Sequence, residues 1–221
     1  MCSRYTLTSP PEAVRSYFRT EAAEPFPPRY NIAPTQPVLI VRNAPRAARE
    51  LRLVRWGLLP PWVKDPREFA TLTNARSETA AEKPSFRGAL RHRRCLVPTD
   101  GFYEWTGAAK AKTPHLIRAK ADPAGSHLMA MAGLWENWVG ADGSELETMA
   151  ILTTAANATM STIHDRMPVI LAPDQFDHWL DCTPGSADGV MDLLAPSGDD
   201  LLEILPMSVK VNNSRNEGPF E

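Results

Sequence analysis

Five short apolar runs between residues 94 and 154 decide the fold. They are RCLVP (94–98), GFYEW (101–105), PHLIRA (114–119), HLMAMAGLW (127–135) and LETMAILTT (146–154). Each run has the length and the apolar or aromatic content of a strand, and turn-forming residues such as Gly, Pro and Asp separate the runs. Short strands that follow one another along a chain usually become neighbours in a sheet. The runs therefore predict a mostly antiparallel, barrel-like sheet.

The flanking sequence adds further strands and several helices. Strands are expected in PVLIVR (37–42), ELRLVRWGLL (50–59) and EILPMS (203–208), and an ordered proline-rich loop over 23–37. Helices are expected at 9–21 with Ser9 as N-cap, in two pieces of 74–93 separated near Pro84, at 155–164, at 173–181 beginning with Pro173, and at 188–196. This pattern predicts an α+β fold: a single domain over residues 1–221, with a mostly antiparallel, barrel-like core and flanking helices.

Length and composition exclude several classes of protein. With 221 residues and 43% hydrophobic content, the chain can bury a sizeable core. No stretch approaches the ~20 apolar residues of a membrane span, and residues 1–14 lack the apolar region of a secretory signal. Three scattered cysteines form no disulfide framework, so a reducing, cytoplasmic location is expected.

The charge of the chain is low overall but locally uneven. A net charge of −2 argues against a protein that coats nucleic acid by bulk electrostatics. However, residues 42–55 contain five arginines and one acid, and residues 86–95 contain four arginines and His92. Such stretches could hold a few phosphates, or they could be ordinary solvated arginines on exposed faces.

The second residue of the chain is a cysteine, which has unusual chemistry at a terminus. Aminopeptidases remove Met1 when the next side chain is small, and Cys2 would then carry both a free α-amine and a thiol. The amine condenses with an aldehyde to an imine, and the thiol can close that imine into a thiazolidine ring. The alternative is that Cys2 lies in a frayed terminus without a role.

Three further stretches hold polar residues that a core does not require. Asn74 in TNARSET is either functional or a helix cap. Glu104 in DGFYEW sits among aromatic residues, where loss of water suits a carboxyl group to proton transfer, unless it is an outward-facing strand residue. His164 precedes an apolar strand in STIHDRMPVIL and is a candidate proton shuttle, although a lone histidine is often structural.

These residues fit metal binding and common hydrolase chemistry poorly. Cys2, Glu104 and His164 lack local ligand spacing, so no metal is expected. The G-x-S-x-G elbow and glycine-rich phosphate loops are absent. No cofactor is expected, and Cys95 and Cys182 are interpreted as structural.

Seven motifs appear in a fixed order along the chain. They are MCSR (1–4), YNIAPTQ (30–36), WGLLPPW (56–62), NARSET (74–79), DGFYEW (100–105), IHDRMPVIL (163–171) and VNNSRNEGP (211–219). In this combination the chain resembles the SRAP family, the SOS-response-associated peptidase domains that bind abasic sites in single-stranded DNA. The resemblance covers almost the whole chain.

The resemblance implies a role for each matching position. Cys2, exposed by self-removal of Met1, would act with Asn74, Glu104 and His164 as catalytic residues. Three arginines would grip the DNA backbone: Arg4, Arg76 and Arg166. Trp62 would stack on a base beside the lesion, and Asn31 and Pro34 belong to a loop near the active site.

The implied activity is a covalent thiazolidine crosslink to an abasic site, with lyase and autopeptidase side activities in the response to DNA damage. The expected partner is single-stranded DNA that contains abasic sites, bound by a monomer. Ser3 stands where the family pattern has glycine, which affects the geometry of the turn after Cys2. Two other interpretations stay open: an N-terminal-nucleophile cysteine amidohydrolase and a non-covalent single-strand-binding module.

Overall fold

A computed structural model describes residues 2–21, 25–44, 48–108 and 111–220 of the chain. The strands in these ranges are β1 (Tyr5–Leu7), β2 (Arg29–Ile32), β3 (Pro37–Asn43), β4 (Arg49–Trp56), β5 (Asn74–Arg76), β6 (Arg94–Thr99), β7 (Gly101–Thr106), β8 (Thr113–Ala119), β9 (Met129–Val139), β10 (Glu145–Ala155), β11 (Arg166–Pro168), β12 (Ile170–Leu171) and β13 (Leu202–Pro206). The α-helices are α1 (Pro11–Phe18), α2 (Ser77–Ala80), α3 (Arg87–His92), α4 (Ala158–Ser161), α5 (Phe176–Leu180) and α6 (Ser186–Gly189). Short 3-10 helices occupy Pro173–Gln175, Met191–Leu194 and Val209–Asn212.

The strands form two sheets, and the larger sheet closes on itself. Its order is β11-β10-β4-β3-β6-β9-β12, with β5 attached to β10. Because β10 also pairs with β9, the strands β10, β4, β3, β6 and β9 make a closed circuit. The smaller sheet has the order β13-β8-β7-β1-β2. Most pairings are antiparallel, and β10 pairs in parallel with β4 and β5. The predicted α+β class with a barrel-like, mostly antiparallel core is confirmed.

The five apolar runs that predict the fold correspond to β6 to β10. Gly133 in β9 lies opposite Cys95 of β6 and Ile151 of β10. A Cβ atom at Gly133 would lie 2.8 Å from the Cys95 sulfur, so only glycine allows these strands to approach this closely. Three of these strands, β6, β9 and β10, belong to the closed circuit, and β7 and β8 belong to the smaller sheet.

Several local predictions are wrong, and tertiary contacts explain why. The N-cap of α1 is Pro10 rather than Ser9, because the Ser9 hydroxyl donates to Asp100 on the turn between β6 and β7. The proline-rich segment contains β2, which pairs with β1; its residues 23 and 24 lie outside the described residues. The helix expected at 188–196 is divided into the end of α6 and a 3-10 helix.

The N-terminus of the chain is anchored in the smaller sheet rather than frayed. Strand β1 pairs on one side with β2, where Tyr5 lies opposite Ile32, and on the other with β7, where Tyr5 lies opposite Phe102. Tyr5 itself is buried. Since β1 begins only three residues after Cys2, these pairings fix the position of the N-terminal residues. Within the described ranges, no helix has the length and apolar character needed to cross a membrane.

Asn31 joins the C-terminal segment (residues 207–220) to the smaller sheet. Its side chain is fully buried, and its Nδ2 donates to the carbonyl oxygens of Val211 (3.2 Å), Asn213 (3.0 Å) and Asn216 (3.1 Å). Its Oδ1 accepts a 2.6 Å hydrogen bond from Arg4. Asn31 therefore supports both the C-terminal segment and a residue next to the chain terminus.

Replacing Asn31 with leucine should lower the free energy of unfolding by about 2–3 kcal/mol, because buried carbonyl groups would lose their donor. Urea unfolding measures the loss. Asn213→Leu is the matched control: that side chain is exposed, and its replacement should cost less than about 0.5 kcal/mol. Equal losses in the two variants would contradict the role given to Asn31.

Candidate active site

Cys2 is held in the protein interior by an amide. Its side chain is 1% exposed, so the frayed-terminus interpretation is wrong. The Nδ2 of Asn74 donates to the Cys2 carbonyl oxygen at 2.9 Å. Burial raises the pKa of the Cys2 thiol, and the negative charge of nearby Glu104 raises it further. The thiol is therefore protonated at neutral pH. Met1 lies outside the described residues.

Asn74 reaches Cys2 because it belongs to a strand and not to a helix cap. It begins β5, which pairs in parallel with β10 so that Asn74 lies opposite Ile151. The N-cap of α2 is Arg76, so the capping interpretation of Asn74 is wrong. The strand pairing turns the Asn74 amide toward the chain terminus, where it orients the Cys2 backbone.

Glu104 approaches the same point from the smaller sheet. It lies in β7, whose neighbour β1 leads back to the chain terminus, and the Tyr103 amide donates to the Arg4 carbonyl at 2.9 Å. The Glu104 side chain is buried, at 5% exposure, so the outward-facing interpretation is wrong. A carboxyl group inside the protein and near a thiol is well placed to exchange protons there.

His164 lies in the turn between α4 and β11. Its backbone amide donates to the Met160 carbonyl at 2.9 Å, and its ring Nδ1 accepts from the Arg166 amide at 2.9 Å. In the neutral ring, this acceptor role leaves the proton on Nε2. A protonated ring would instead donate from Nδ1 to the Asp165 carboxylate, 3.0 Å away. The His164 side chain is 24% exposed, so it is open to solvent-borne protons.

Arg166 is held by Thr153 of β10 and by Glu78 of α2. Its Nη2 donates to the Thr153 carbonyl oxygen of β10 at 2.7 Å. Its Nη1 and Nη2 also form a two-pronged ion pair with Glu78 at the start of α2, with one contact at 2.9 Å. This ion pair lowers the pKa of the Glu78 carboxyl. Arg76 lies opposite Thr153 on the other side and is exposed, so both arginines lie beside the C-terminal end of β10.

Arg4 lies next to an aromatic side chain. Its guanidinium is 5.6 Å from the Trp105 ring centre, and its Nη1 donates to the carbonyl oxygen of Val211 at 3.1 Å. The Trp105 indole donates to the Asn212 side chain at 2.7 Å. Burial lowers the pKa of Arg4. The C-terminal segment therefore holds the Arg4 guanidinium and the Trp105 ring close to the N-terminus.

The two remaining predicted residues are Trp62 and Pro34. Trp62 is 55% exposed and makes an edge-to-face contact with Phe69, with ring centres 5.4 Å apart. Pro34 is half-buried in the turn after β2, where Thr35 has a φ of 72°. Among the described residues, no three histidine, cysteine or carboxylate side chains converge as metal ligands would.

The structure therefore brings Cys2, Asn74 and Glu104 together, and it places Arg166, Glu78 and Thr153 in a second group on β10. Sequence reasoning missed three contributors: Thr153, Trp105 as the neighbour of Arg4, and Glu78 as the ion-pair partner of Arg166. Glu78 and Trp105 lie within the quoted motifs, which is the one signal that could have found them. Thr153 carries no such signal, because it lies outside the seven motifs; it accepts from Arg166 through its carbonyl oxygen and its hydroxyl.

A buried cysteine next to an anchored N-terminal strand, with an amide on one β-sheet and a carboxylate on the other, defines the candidate active site. The chain belongs to the SOS response associated peptidase (SRAP) family, whose model matches residues 1–214. It is similar to the abasic site processing protein YoqW of Bacillus subtilis, with 40% identity over 99% of this chain and 97% of the relative. The abasic site processing protein HMCES of Xenopus tropicalis is 32% identical over 99% of this chain and 77% of that protein.

Solved structures resemble the fold closely. A crystal structure of a protein from Bacteroides thetaiotaomicron has a TM-score of 0.84 and 26% sequence identity, covering 96% of this chain and 95% of the other. A protein from Bordetella bronchiseptica has a TM-score of 0.79 and 27% identity, covering 94% of this chain and 100% of the other. The two-sheet arrangement is therefore shared across these proteins.

Proposed function

We propose that this protein processes abasic sites in single-stranded DNA by forming a covalent thiazolidine through Cys2. The observation that carries the proposal is the anchored terminus, where Asn74 holds the Cys2 carbonyl at 2.9 Å and Glu104 acts electrostatically on the thiol. The relatives YoqW and HMCES are abasic site processing proteins, which supports the substrate class.

The first step is attack by the α-amine. An abasic sugar exchanges between a closed hemiacetal and an open aldehyde, and His164 would move the proton that ring opening needs. After removal of Met1, the neutral Cys2 amine adds to C1′ and forms a carbinolamine. An α-amine has an ordinary pKa of about 8, so an appreciable neutral fraction exists at pH 7. Glu104 would take up the proton that the amine releases on addition and return it to the departing hydroxyl group, and loss of one water gives the Schiff base.

The second step is closure of the ring by the thiol. The Cys2 sulfur adds to the imine carbon and forms a C–S bond, while the imine nitrogen becomes a secondary amine. Because burial keeps the thiol protonated, its proton must leave during the attack, and Glu104 would accept it. The product is protein plus DNA minus one water. Closure also removes the imine that would otherwise promote β-elimination of the 3′ phosphate.

Recognition of DNA would be largely independent of sequence. Arg4, Arg76 and Arg166 would contact phosphates, and the aromatic rings of Trp62 and Trp105 would accept any base. An abasic site offers no base edge to read, so phosphate contacts and stacking suffice. With only a few phosphate contacts, the affinity should depend modestly on salt.

Two side activities follow from the same groups. A Schiff base that fails to close would undergo β-elimination, which gives lyase activity. The Cys2 nucleophile, next to the Met1–Cys2 bond, would also perform the self-cleavage that unmasks its amine. Both activities depend on the mechanism above and are proposed with it.

Intact mass spectrometry tests the proposal. The protein is mixed with a single-stranded oligonucleotide that contains one abasic site. A species with the mass of Met1-less protein plus oligonucleotide minus one water, stable without borohydride, is expected. Unmodified protein with Met1 already removed would contradict crosslinking.

An N-terminal-nucleophile amidohydrolase would share Cys2 and Asn74 but would not need arginines that bind DNA. Replacing Arg76 and Arg166 with glutamine should prevent adduct formation under our proposal. It would leave the turnover of small amides intact under the amidohydrolase interpretation. A non-covalent binding module would form no adduct with any variant.

Glu78→Gln should strengthen binding to abasic single-stranded DNA by about 2- to 5-fold, which corresponds to less than ~1 kcal/mol. The exchange removes a carboxylate that competes with phosphate for Arg166, while Thr153 still positions the guanidinium. Fluorescence anisotropy measures the change. Glu82→Gln, an exposed acid just after α2, is the matched control and should bind like the wild type. Weaker binding by Glu78→Gln would show that Glu78 aligns Arg166 for the phosphate.

A further inference from the structure

His164 follows helix α4, which is too short to be stable by itself. The helix is a single turn of four residues, Ala158–Ser161, and isolated helices of fewer than about 12 residues are marginal in water. The backbone amides of Ile163 and His164 both donate to the Met160 carbonyl oxygen, at 3.0 and 2.9 Å. The position of His164 therefore depends on the contacts that keep this turn in place.

Asn157 caps the turn and also joins it to a distant part of the chain. Its Oδ1 accepts from the Met160 amide at 2.9 Å, which is the usual role of an N-cap side chain. Its Nδ2 donates to the carbonyl oxygens of Ser197 (3.1 Å) and Gly198 (3.3 Å). These two residues belong to the loop over 195–201 that leads into β13, so the loop and α4 are held together.

Asp199 of the same loop completes the attachment. Its carboxylate Oδ1 accepts from the Ala158 amide at 2.7 Å, and its carbonyl oxygen accepts from the Thr159 hydroxyl at 2.7 Å. The first amides of a helix have no partner inside the helix. Asn157 and Asp199 together supply acceptors for two of these amides, and Asp199 does so from outside the helix and its flanking residues.

Strand pairing fixes the other side of His164. Strand β11 begins at Arg166, which lies opposite Ala155 of β10, and the Ala156 amide donates to the Asp165 carbonyl at 3.0 Å. The paired region therefore ends next to His164. On its N-terminal side, the residue is held through α4.

We propose that Asp199 is a positioning residue for His164. Through the Ala158 amide it fixes α4, and α4 sets the place from which the His164 ring moves the proton that opens the abasic sugar. The inference rests on the proposed function, because it assumes that His164 assists ring opening. A group that transfers a proton must lie within hydrogen-bond reach of it, so a small displacement of the turn slows this step.

Amide hydrogen exchange measures the link between Asp199 and His164 without DNA. Asp199→Ala should make the His164 amide exchange about 5-fold faster, the effect expected for loss of a helix cap. Asp199→Asn keeps an oxygen at the same position and should restore most of the protection. Asp200→Ala, which removes the neighbouring exposed acid, is the matched control and should exchange like the wild type.

Single-turnover crosslinking to an abasic oligonucleotide measures the effect on the reaction. At saturating protein, Asp199→Ala should lower the rate about 10-fold, because the ring is displaced from the proton. Its affinity for an oligonucleotide with a tetrahydrofuran analogue, which has no aldehyde, should be unchanged. In a His164→Gln background the same exchange should have no further effect, since a residue that acts through His164 then has nothing to position. A merely structural role would slow both backgrounds equally.

An acyclic aldehyde removes the step at which His164 would act. An oligonucleotide whose aldehyde is made by periodate cleavage of a vicinal diol, with no hydroxyl group placed to close a ring, needs no ring opening. Asp199→Ala should react with it at the wild-type rate. Slow reaction with this aldehyde would show that the exchange damages the site beyond His164, and it would overturn the proposal.

Three other outcomes overturn the proposal. They are unchanged exchange of the His164 amide in Asp199→Ala, additive losses of rate in the double variant, and a wild-type rate for His164→Gln itself. Failure of the proposed function is a separate result, because it would appear as the absence of a covalent species from the wild-type protein with either aldehyde. The exchange measurement would still decide whether the turn before His164 depends on Asp199.

Discussion

Cys2→Ala is expected to abolish the stable crosslink to an abasic oligonucleotide completely. Alanine is also small enough for removal of Met1 by an aminopeptidase, so the α-amine is still produced while the sulfur is lost. The amine can form a Schiff base, but no thiol closes the ring. The variant should therefore give an adduct only when borohydride is added, together with strand cleavage by β-elimination. Denaturing gels with and without borohydride, followed by intact mass measurement, detect both products.

Two controls separate the thiol from the amine. Cys182→Ala removes a half-buried cysteine elsewhere in the chain and should crosslink like the wild-type protein. A chain with extra residues in front of Cys2 keeps the thiol but lacks the free α-amine, and it should form neither adduct. A borohydride-independent adduct with Cys2→Ala would show that another nucleophile bonds to the sugar.

Glu104→Gln should slow crosslinking by about 10²- to 10⁴-fold, the usual contribution of a general acid or base. Glutamine has nearly the same shape, but it can neither protonate the carbinolamine hydroxyl nor accept the proton of the Cys2 thiol. Because burial keeps that thiol protonated, ring closure needs an acceptor. Single-turnover rates at saturating protein measure the chemical step without a contribution from binding.

Glu203→Gln is the matched control for this variant. Glu203 lies in β13 of the same sheet, where it pairs with Arg118, and its exchange should leave the crosslinking rate unchanged. Unfolding in urea should show that Glu104→Gln is folded. A rate for Glu104→Gln within about twofold of the wild type would remove Glu104 from the proton transfers.

Local pattern predicted most elements, and long-range contacts explain the exceptions. The apolar runs predict β6 to β10 because their content and length suit buried strands. Asn74 looked like a helix cap, yet pairing with β10 makes it a strand residue. Ser9 looked like an N-cap, yet it binds Asp100, which is distant in sequence. Helix-capping preferences depend on a few neighbouring residues, and here they are outweighed by long-range hydrogen bonds in the folded chain.

The fold class and the family could be predicted from the sequence alone, because composition, strand pattern and ordered motifs are local properties of the chain. The sequence identified Cys2, Asn74, Glu104 and His164 only as separate candidates. Tertiary structure alone decided that β1 is anchored between β2 and β7, that Asn74 reaches the Cys2 carbonyl, and that Glu78 holds Arg166. The reason is physical: these contacts join residues far apart in the sequence, such as Tyr5 and Phe102 or Glu78 and Arg166, and their distances depend on sheet pairing that no short stretch encodes.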